Sequence, residues 1–289
     1  MHLHNQESIP HLLRDFLCLP ATLSLRTSGL LLNIVGPLEK MNNLVNFNGK
    51  FFRAEEPLIG AESRALRYGD GVFETIRMLN GHAEHAELHY NRLFEGLNIL
   101  GFELPQLFTR DYLTEQILKT ATKNKVEQGA RIRLALFRGN GGLYDPENHR
   151  PNFIVQAWPL PAQNGTLNLN GLVTGIYTKA VKCYDAFSHL KTASHLTYVM
   201  AALYAKEMKW NDALVLNTSG RICDTSIANI FIVKGKKIIT PPLSEGCVAG
   251  IMRRYILREI AGTGFEGVEQ PITTEDLLDA DECFITNAI

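Results

Sequence analysis

The chain has 289 residues, 45% of them hydrophobic, enough for two cores of ordinary domain size. Lysine and arginine number 29 against 30 acidic residues, for a net charge of −1. That balance gives no reason to expect nucleic acid or an anionic membrane as partner and leaves a small molecule as the default. Five cysteines, Cys18, Cys183, Cys223, Cys247 and Cys283, form an odd set without a C-x-x-C pair. They argue against a disulfide framework and a structural zinc site, and fit a reducing cytoplasm.

Residues 1–40 read as an atypical N-terminal extension, expected to be poorly ordered. Pro20, Gly29, Gly36 and Arg26 interrupt its apolar run, so it is too broken to span a membrane. It also lacks the layout of a secretory signal, with an organelle presequence as an open alternative. From Met41 the pattern is denser. Leu44 to Phe47, Asn48-Gly49 and Phe51-Phe52 read as a hairpin, because Asn-Gly accepts the positive φ of a tight turn. A strand over Val72 to Leu79 ends at Asn80-Gly81. Leu88, Leu93, Leu97 and Leu100 recur at helical spacing, as do Leu113, Ile117 and Leu118 after the candidate cap Thr109. Ile132, Leu134 and Leu136 alternate as a strand, and Phe153 to Trp158 forms another after the loop Gly139 to Gly142. Residues 41–158 thus read as a small N-terminal domain of hairpins and helices.

Pro159-Leu160-Pro161-Ala162-Gln163-Asn164-Gly165 has linker chemistry, so the boundary falls at 159–165. In the larger domain, 166–289, the order is strand, loop, helix (Thr197 to Lys209), strand (Ala213 to Leu216), hairpin (Ile230 to Ile239), helix (Ile251 to Ile260), a further helix, and a last strand, Cys283 to Thr286. The fold class is α/β, in the mixed α+β sense.

Lys191 follows a polar, turn-rich loop and precedes a helix, a place from which a lysine can reach a cleft between domains. His85 and His89 stand four apart on a helix, but Glu87 is misplaced for H-E-x-x-H, so a solvated helix face is expected there and no metal. The glycines at 139–142 lack the Gly-Lys-Ser/Thr of a P-loop, and no G-x-S-x-G occurs. Arg253-Arg254 is too small a patch for nucleic acid.

Several segments fit together in order: Tyr68 to Arg77, His89-Tyr90-Asn91-Arg92-Leu93, Leu190-Lys191, Asp212 to Leu216, Asn229-Ile230-Phe231, Pro241-Pro242, Gly250-Ile251-Met252-Arg253 and Thr286-Asn287-Ala288. With the 33-residue step from Lys191 to Asp224, the chain over 44–289 resembles the class IV, or fold type IV, pyridoxal-phosphate enzymes. These include branched-chain and D-amino acid aminotransferases and aminodeoxychorismate lyase. The resemblance implies two α/β domains with pyridoxal 5'-phosphate in the cleft between them, the larger one binding the cofactor, and a homodimer. It implies Lys191 as the catalytic residue that forms the Schiff base and moves the proton. Asp224 takes the position of the carboxylate against the pyridine nitrogen, where the family usually has glutamate. Arg92 matches the phosphate-binding arginine. Ile251 and Met252 would donate backbone N–H groups from a helix start, and Thr286 and Asn287 would close the phosphate cup. Phe73, Thr75 and Leu143 are the substrate-facing candidates.

Subfamily signals conflict. Branched-chain enzymes carry a tyrosine five residues after the lysine, where this chain has Leu196. The arginine-and-histidine trap of the D-amino acid enzymes is replaced by Leu143-Tyr144-Asp145. Arg138 to Gly142 and Gly250 to Arg253 look closest to the lyase, yet Ser194 replaces its asparagine. The favoured expectation is transamination between an amino acid and a 2-oxo acid, with 4-amino-4-deoxychorismate lyase, releasing pyruvate, as alternative. A further alternative is an inactive or fragmentary member, because the family continues past Thr286-Asn287-Ala288 whereas this chain stops at Ile289, which reads as a C-terminal truncation of the larger domain.

Overall fold

The computed structural model describes residues 43–160 and 170–289. The expected N-terminal extension and most of the expected 159–165 linker lie outside the described residues.

The first half is one antiparallel sheet. Its strands are β1 (Leu44–Phe47), β2 (Lys50–Arg53), β3 (Gly71–Leu79), β4 (His82–Ala83), β5 (Gly129–Arg138) and β6 (Pro151–Pro159), in the order β2-β1-β6-β5-β3-β4. Asn48 and Gly49 take φ of 51° and 85° between β1 and β2, the double positive φ that a two-residue hairpin needs. Three helices complete this half: α1 (Arg64–Tyr68), α2 (Ala86–Ile99) and α3 (Arg110–Lys123). Thr109 caps α3 by accepting from Tyr112 N at 3.1 Å, which satisfies one of the free amides of the first turn.

Period-two alternation gives this sheet two different faces. Ile76 and Met78 of β3 and Ile132, Leu134 and Leu136 of β5 are buried in one cluster with Leu93 and Leu97 of α2 and Leu113 and Ile117 of α3. Each such side chain contributes about 1.5–3 kcal/mol by leaving water. The opposite face presents Phe73, Thr75, Arg131 and Arg133 to a cavity. The apolar face therefore fixes by register which residues reach the cavity.

The second half has two smaller sheets. One is β7 (Thr174–Lys182), β8 (Asp212–Asn217) and β9 (Ile222–Thr225), with β7 parallel to β8 and β9 antiparallel to it. The other, ordered β12-β11-β10-β13, comprises β10 (Asn229–Lys234), β11 (Lys237–Thr240), β12 (Glu266–Glu269) and β13 (Glu282–Thr286). Helices α4 (Leu196–Glu207), α5 (Ile251–Glu259) and α6 (Thr274–Leu278) accompany them. Among the described residues, no helix is long and apolar enough to cross a membrane.

Candidate active site

A cavity of about 700 Å³ lies between the first sheet and the second half of the chain. Lys191 reaches it from a segment stitched onto β3. Phe73 N donates to Lys191 O at 3.0 Å, Ala193 N donates to Gly71 O at 2.8 Å, and Val72 bridges Thr192. A Cβ on Gly71 would overlap the Leu136 carbonyl oxygen, so glycine permits β3 and β5 to close at this point. Lys191 Nζ stands 4.6 Å from the Phe73 ring centroid. Burial, and then the Arg92 charge, push Lys191 down to about 8, against the pull of Glu74 and Asp224. A lysine amine with a lowered pKa is a competent nucleophile and base near neutral pH.

Asp224, on β9, is 2% exposed and lines the same cavity. Its Oδ1 accepts from Asn229 Nδ2 at 2.8 Å. Its Oδ2 accepts from Tyr198 Oη at 2.6 Å and from Val248 N at 2.9 Å. Lys182 Nζ is 3.6 Å from Oδ2 and donates to Tyr198 Oη at 2.5 Å. Burial pushes the Asp224 carboxyl upward, against Lys182 and these donors, which favour its charged form.

Arg92, on α2, is buried yet borders the cavity. Glu74 holds it from β3, and its Nη1 donates to Ala249 O at 2.9 Å. Ala249 leads into α5, whose N-cap Gly250 makes no side-chain cap hydrogen bond. The backbone amides of the first turn therefore stay free for an anion. A Cβ on Gly250 would overlap Asn229 Oδ1. Ile251, Met252, Thr286 and Asn287 border the cavity beside Arg92, and Thr286 Oγ1 is buried without a hydrogen-bond partner among the described residues.

These groups fit pyridoxal phosphate. An amine suits its aldehyde, a buried carboxylate suits its ring nitrogen, and a guanidinium, a helix start and an orphaned hydroxyl suit its phosphate. Phe73 and Thr75 form the adjoining wall. Leu143 is elsewhere: it is 71% exposed, on a loop whose carbonyls at Gly141, Gly142 and Leu143 are held by Arg64, and it does not line the cavity.

The expectation of a solvated face at His85 and His89 is corrected. His89 is 1% exposed and donates from Nδ1 to Glu74 Oε2 at 2.6 Å. The His/His spacing carried no hint of this, because the partner lies on a strand fifteen residues earlier.

The sequence of residues 71–289 matches the family model for amino-transferase class IV. The chain belongs to the class IV aminotransferases. Among relatives of this class IV chain, a Methanocaldococcus jannaschii protein assigned as a branched-chain-amino-acid aminotransferase is 30% identical over 244 residues, which covers 84% of this chain and 83% of the relative. The aminodeoxychorismate lyase of Vibrio harveyi is 29% identical over 229 residues, 78% of this chain and 82% of the relative. Among solved structures, the branched-chain aminotransferase of Thermoproteus uzoniensis, determined with norvaline, superposes with a TM-score of 0.75 at 26% identity and covers 85% of this chain and 83% of its own. The fold is thus that of the fold type IV aminotransferases.

Sequence reasoning did not single out Arg131, Arg133, His195 or Tyr198, all of which line this cavity. Arg131 and Arg133 project from β5 onto the cavity wall, with Arg133 Cζ 3.9 Å from the Phe73 ring centroid and Arg131 Cζ 5.8 Å from the Trp158 ring centroid. Their spacing of two, beside the alternating Ile132, Leu134 and Leu136, was the available signal. His195 and Tyr198 also line the cavity, and only their closeness to Lys191 in sequence could have drawn attention to them.

Proposed function

We propose that this chain is a pyridoxal-phosphate-dependent aminotransferase that moves an amino group between an amino acid and a 2-oxo acid. The observation that carries the reading is the convergence of Lys191, Asp224 and Arg92 on one cavity, with Lys191 held at about 8.

When bound, pyridoxal phosphate supplies an aldehyde carbon for the lysine amine and a ring that accepts electrons from the substrate's Cα. Lys191 Nζ would take the proton from the substrate's Cα and hold it for delivery on the cofactor side, the transfer that separates transamination from simple reversal. Its lowered pKa makes the neutral amine accessible near neutral pH. Asp224 would lie against the ring nitrogen and, by its negative charge, favour a proton there. Arg92, the amides of Ile251 and Met252, the Thr286 hydroxyl and Asn287 would hold the phosphate. Arg131 and Arg133 have no carboxylate partner among the described residues, and they attract the acidic substrate to the wall formed by Phe73 and Thr75. Lys191, Asp224 and Arg92 come from a loop, a strand and a helix far apart in sequence, so the assembled site depends on the whole fold.

Release of pyruvate from 4-amino-4-deoxychorismate is the second reading, favoured by the likeness to the Vibrio harveyi lyase. It would use the same residues and differ after proton removal: the electrons left on the substrate would expel the enolpyruvyl group, which leaves as pyruvate, instead of the proton being delivered on the cofactor side. We also propose the division into 41–158 and 166–289 about the 159–165 linker, a cytoplasmic site, to which the free cysteines Cys183, Cys223, Cys247 and Cys283 are suited, and a homodimer. The apolar residues Leu196, Val199, Met200 and Leu203 of α4 stand exposed at helical spacing, as a face covered by a second copy would.

The test is the visible spectrum of the purified protein with pyridoxal phosphate, before and after adding single amino acids, with Lys191→Ala as control. A lysine-dependent band that converts to the pyridoxamine form with an amino acid supports transamination and names the donor. A band that stays unconverted, with pyruvate released from aminodeoxychorismate, selects the lyase. No lysine-dependent band sinks both readings.

A further inference from the structure

We propose that His195 is a substrate-binding residue that holds the carboxylate of the amino acid or 2-oxo acid by a hydrogen bond from its imidazole ring. The inference rests on the cavity being the pyridoxal-phosphate site of the preceding reading.

His195 stands four residues after Lys191, at the N-cap of α4, where its carbonyl accepts from Val199 N at 3.0 Å. Its ring borders the cavity and is wedged edge-to-face between two aromatic rings. Phe73 lies 5.3 Å away at 82°, and Tyr198 lies 5.1 Å away at 87°. Contacts of this geometry fix the orientation of a ring without using its nitrogens. Neither ring nitrogen has a hydrogen-bond partner among the described residues, and the residue makes no side-chain cap bond to its own helix. A positioned imidazole on the wall of the cavity, with both nitrogens unclaimed by other side chains or backbone among the described residues, keeps a donor and an acceptor available to a ligand.

The surroundings select the ligand's chemistry. Burial, then the charges of Lys191, Lys182 and Arg133, push His195 down to about 3, so near neutral pH the ring is uncharged and carries one N–H. The same cations favour an anion beside it. A substrate carboxylate there would accept a hydrogen bond from His195 within the field of Arg133, which stacks on the other neighbour, Phe73. Phe73 also borders Lys191 Nζ, so a carboxylate at His195 keeps the substrate's reacting end on the lysine's side of the cavity. Among the polar side chains named at the cavity, His195 joins a neutral donor to this cationic setting, which no sequence motif foretold.

The test is calorimetric binding of pentanoate, with 1-pentanol as its uncharged counterpart, to the pyridoxal-phosphate-loaded wild type, His195→Gln and His195→Met. Glutamine keeps an N–H donor on a chain of similar length, and methionine removes it. The expected result is pentanoate bound about tenfold or more weakly by the methionine variant, within about threefold of wild type by the glutamine variant, and pentanol bound alike by all three. Equal pentanoate affinity in all three overturns the proposal, as does an equal loss in both variants, which would mark a role in shape alone. Absence of measurable pentanoate binding to the wild type overturns it as well. A lowered melting temperature in His195→Met would shift the comparison to His195→Phe against His195→Gln. The lysine-dependent visible band is recorded on the same samples. Its absence from the wild type speaks against the cofactor reading, whereas its presence with unchanged pentanoate affinities speaks against His195 alone.

Discussion

Glu74 grips Arg92 with both carboxylate oxygens, accepting from Nε at 2.8 Å and from Nη2 at 2.5 Å. The strand residue thereby aims the helix residue at the cavity. Arginine keeps its remaining N–H groups for an anion while its charge is already balanced by a buried partner. Replacing Glu74 by Gln leaves that guanidinium buried without a counter-charge, a change that costs about 3–5 kcal/mol in comparable pairs. Urea unfolding should show a loss of this order, and pyridoxal phosphate should bind more weakly to Glu74→Gln. Unchanged stability with unchanged cofactor affinity would refute the role given to the pair.

The same carboxylate makes an acid-stability prediction. Burial opposes its charge, but Arg92 and His89 outweigh burial and hold Glu74 at about 2, below its ordinary 4.5. A lowered folded-state pKa contributes stability that is fully present above about 4.5 and is lost as pH falls toward 2, because the unfolded chain takes up the proton first. Urea midpoints measured between pH 5 and pH 2.5, estimates that bracket this window, should fall less steeply in Glu74→Gln than in the wild type.

Lys191 predicts a second rise of stability with pH, at the alkaline end. Its folded value of about 8 lies below the ordinary 10.5, so between these values the unfolded chain holds a proton that the folded chain has released, and stability rises with pH. Below about 8 the folded protein carries a half-buried ammonium at a cost. Lys191→Met, measured without cofactor, should therefore melt higher than the wild type at neutral pH and lack the alkaline rise. A parallel pH profile for the two proteins would count against the lowered pKa.

Asp224→Asn keeps the size of the side chain and removes its charge. The cofactor should still bond to Lys191, giving the visible band, while turnover falls by about 10²-fold or more, the scale seen when a preorganised electrostatic partner is removed. Full activity in Asp224→Asn would show that the ring nitrogen does not depend on this carboxylate.

Gly250→Ala tests the helix start. The new methyl would overlap Asn229 Oδ1, and Asn229 also donates to Asp224 and to Val248 O. Overpacking of this kind costs about 1–3 kcal/mol. Thermal melting should register it, and the dissociation constant for pyridoxal phosphate should rise with it.

Where local chemistry decides structure, the sequence was readable. Asn48-Gly49 announced its hairpin, Thr109 its helix cap, and the leucines of α2 their buried face. Helix α1 has only five residues, too few for a period to emerge. Strand β9, Ile-Cys-Asp-Thr, is buried on both faces and shows no alternation, while β12, Glu-Gly-Val-Glu, owes its place to pairing with β11 rather than to propensity. The site divides in the same way. Lys191, Arg92 and Asp224 stood out through motif order. Glu74 as the holder of Arg92, Lys182 as a neighbour of Asp224, and the seat of the His195 ring against Phe73 depend on contacts across the fold that no short window of sequence contains. Leu143 misled because loop position says nothing of direction, which Arg64 sets by anchoring the loop's backbone.

The short ladder that joins Gly71 and Phe73 to Lys191 and Ala193 gives cofactor capture a second meaning. A slip of one residue in that ladder would turn the lysine to the opposite side of the strand, and the amine would no longer meet the aldehyde. Formation of the coloured lysine adduct would then report the correct docking of the two halves of the chain, so the ligand can serve as a built-in gauge of assembly during refolding.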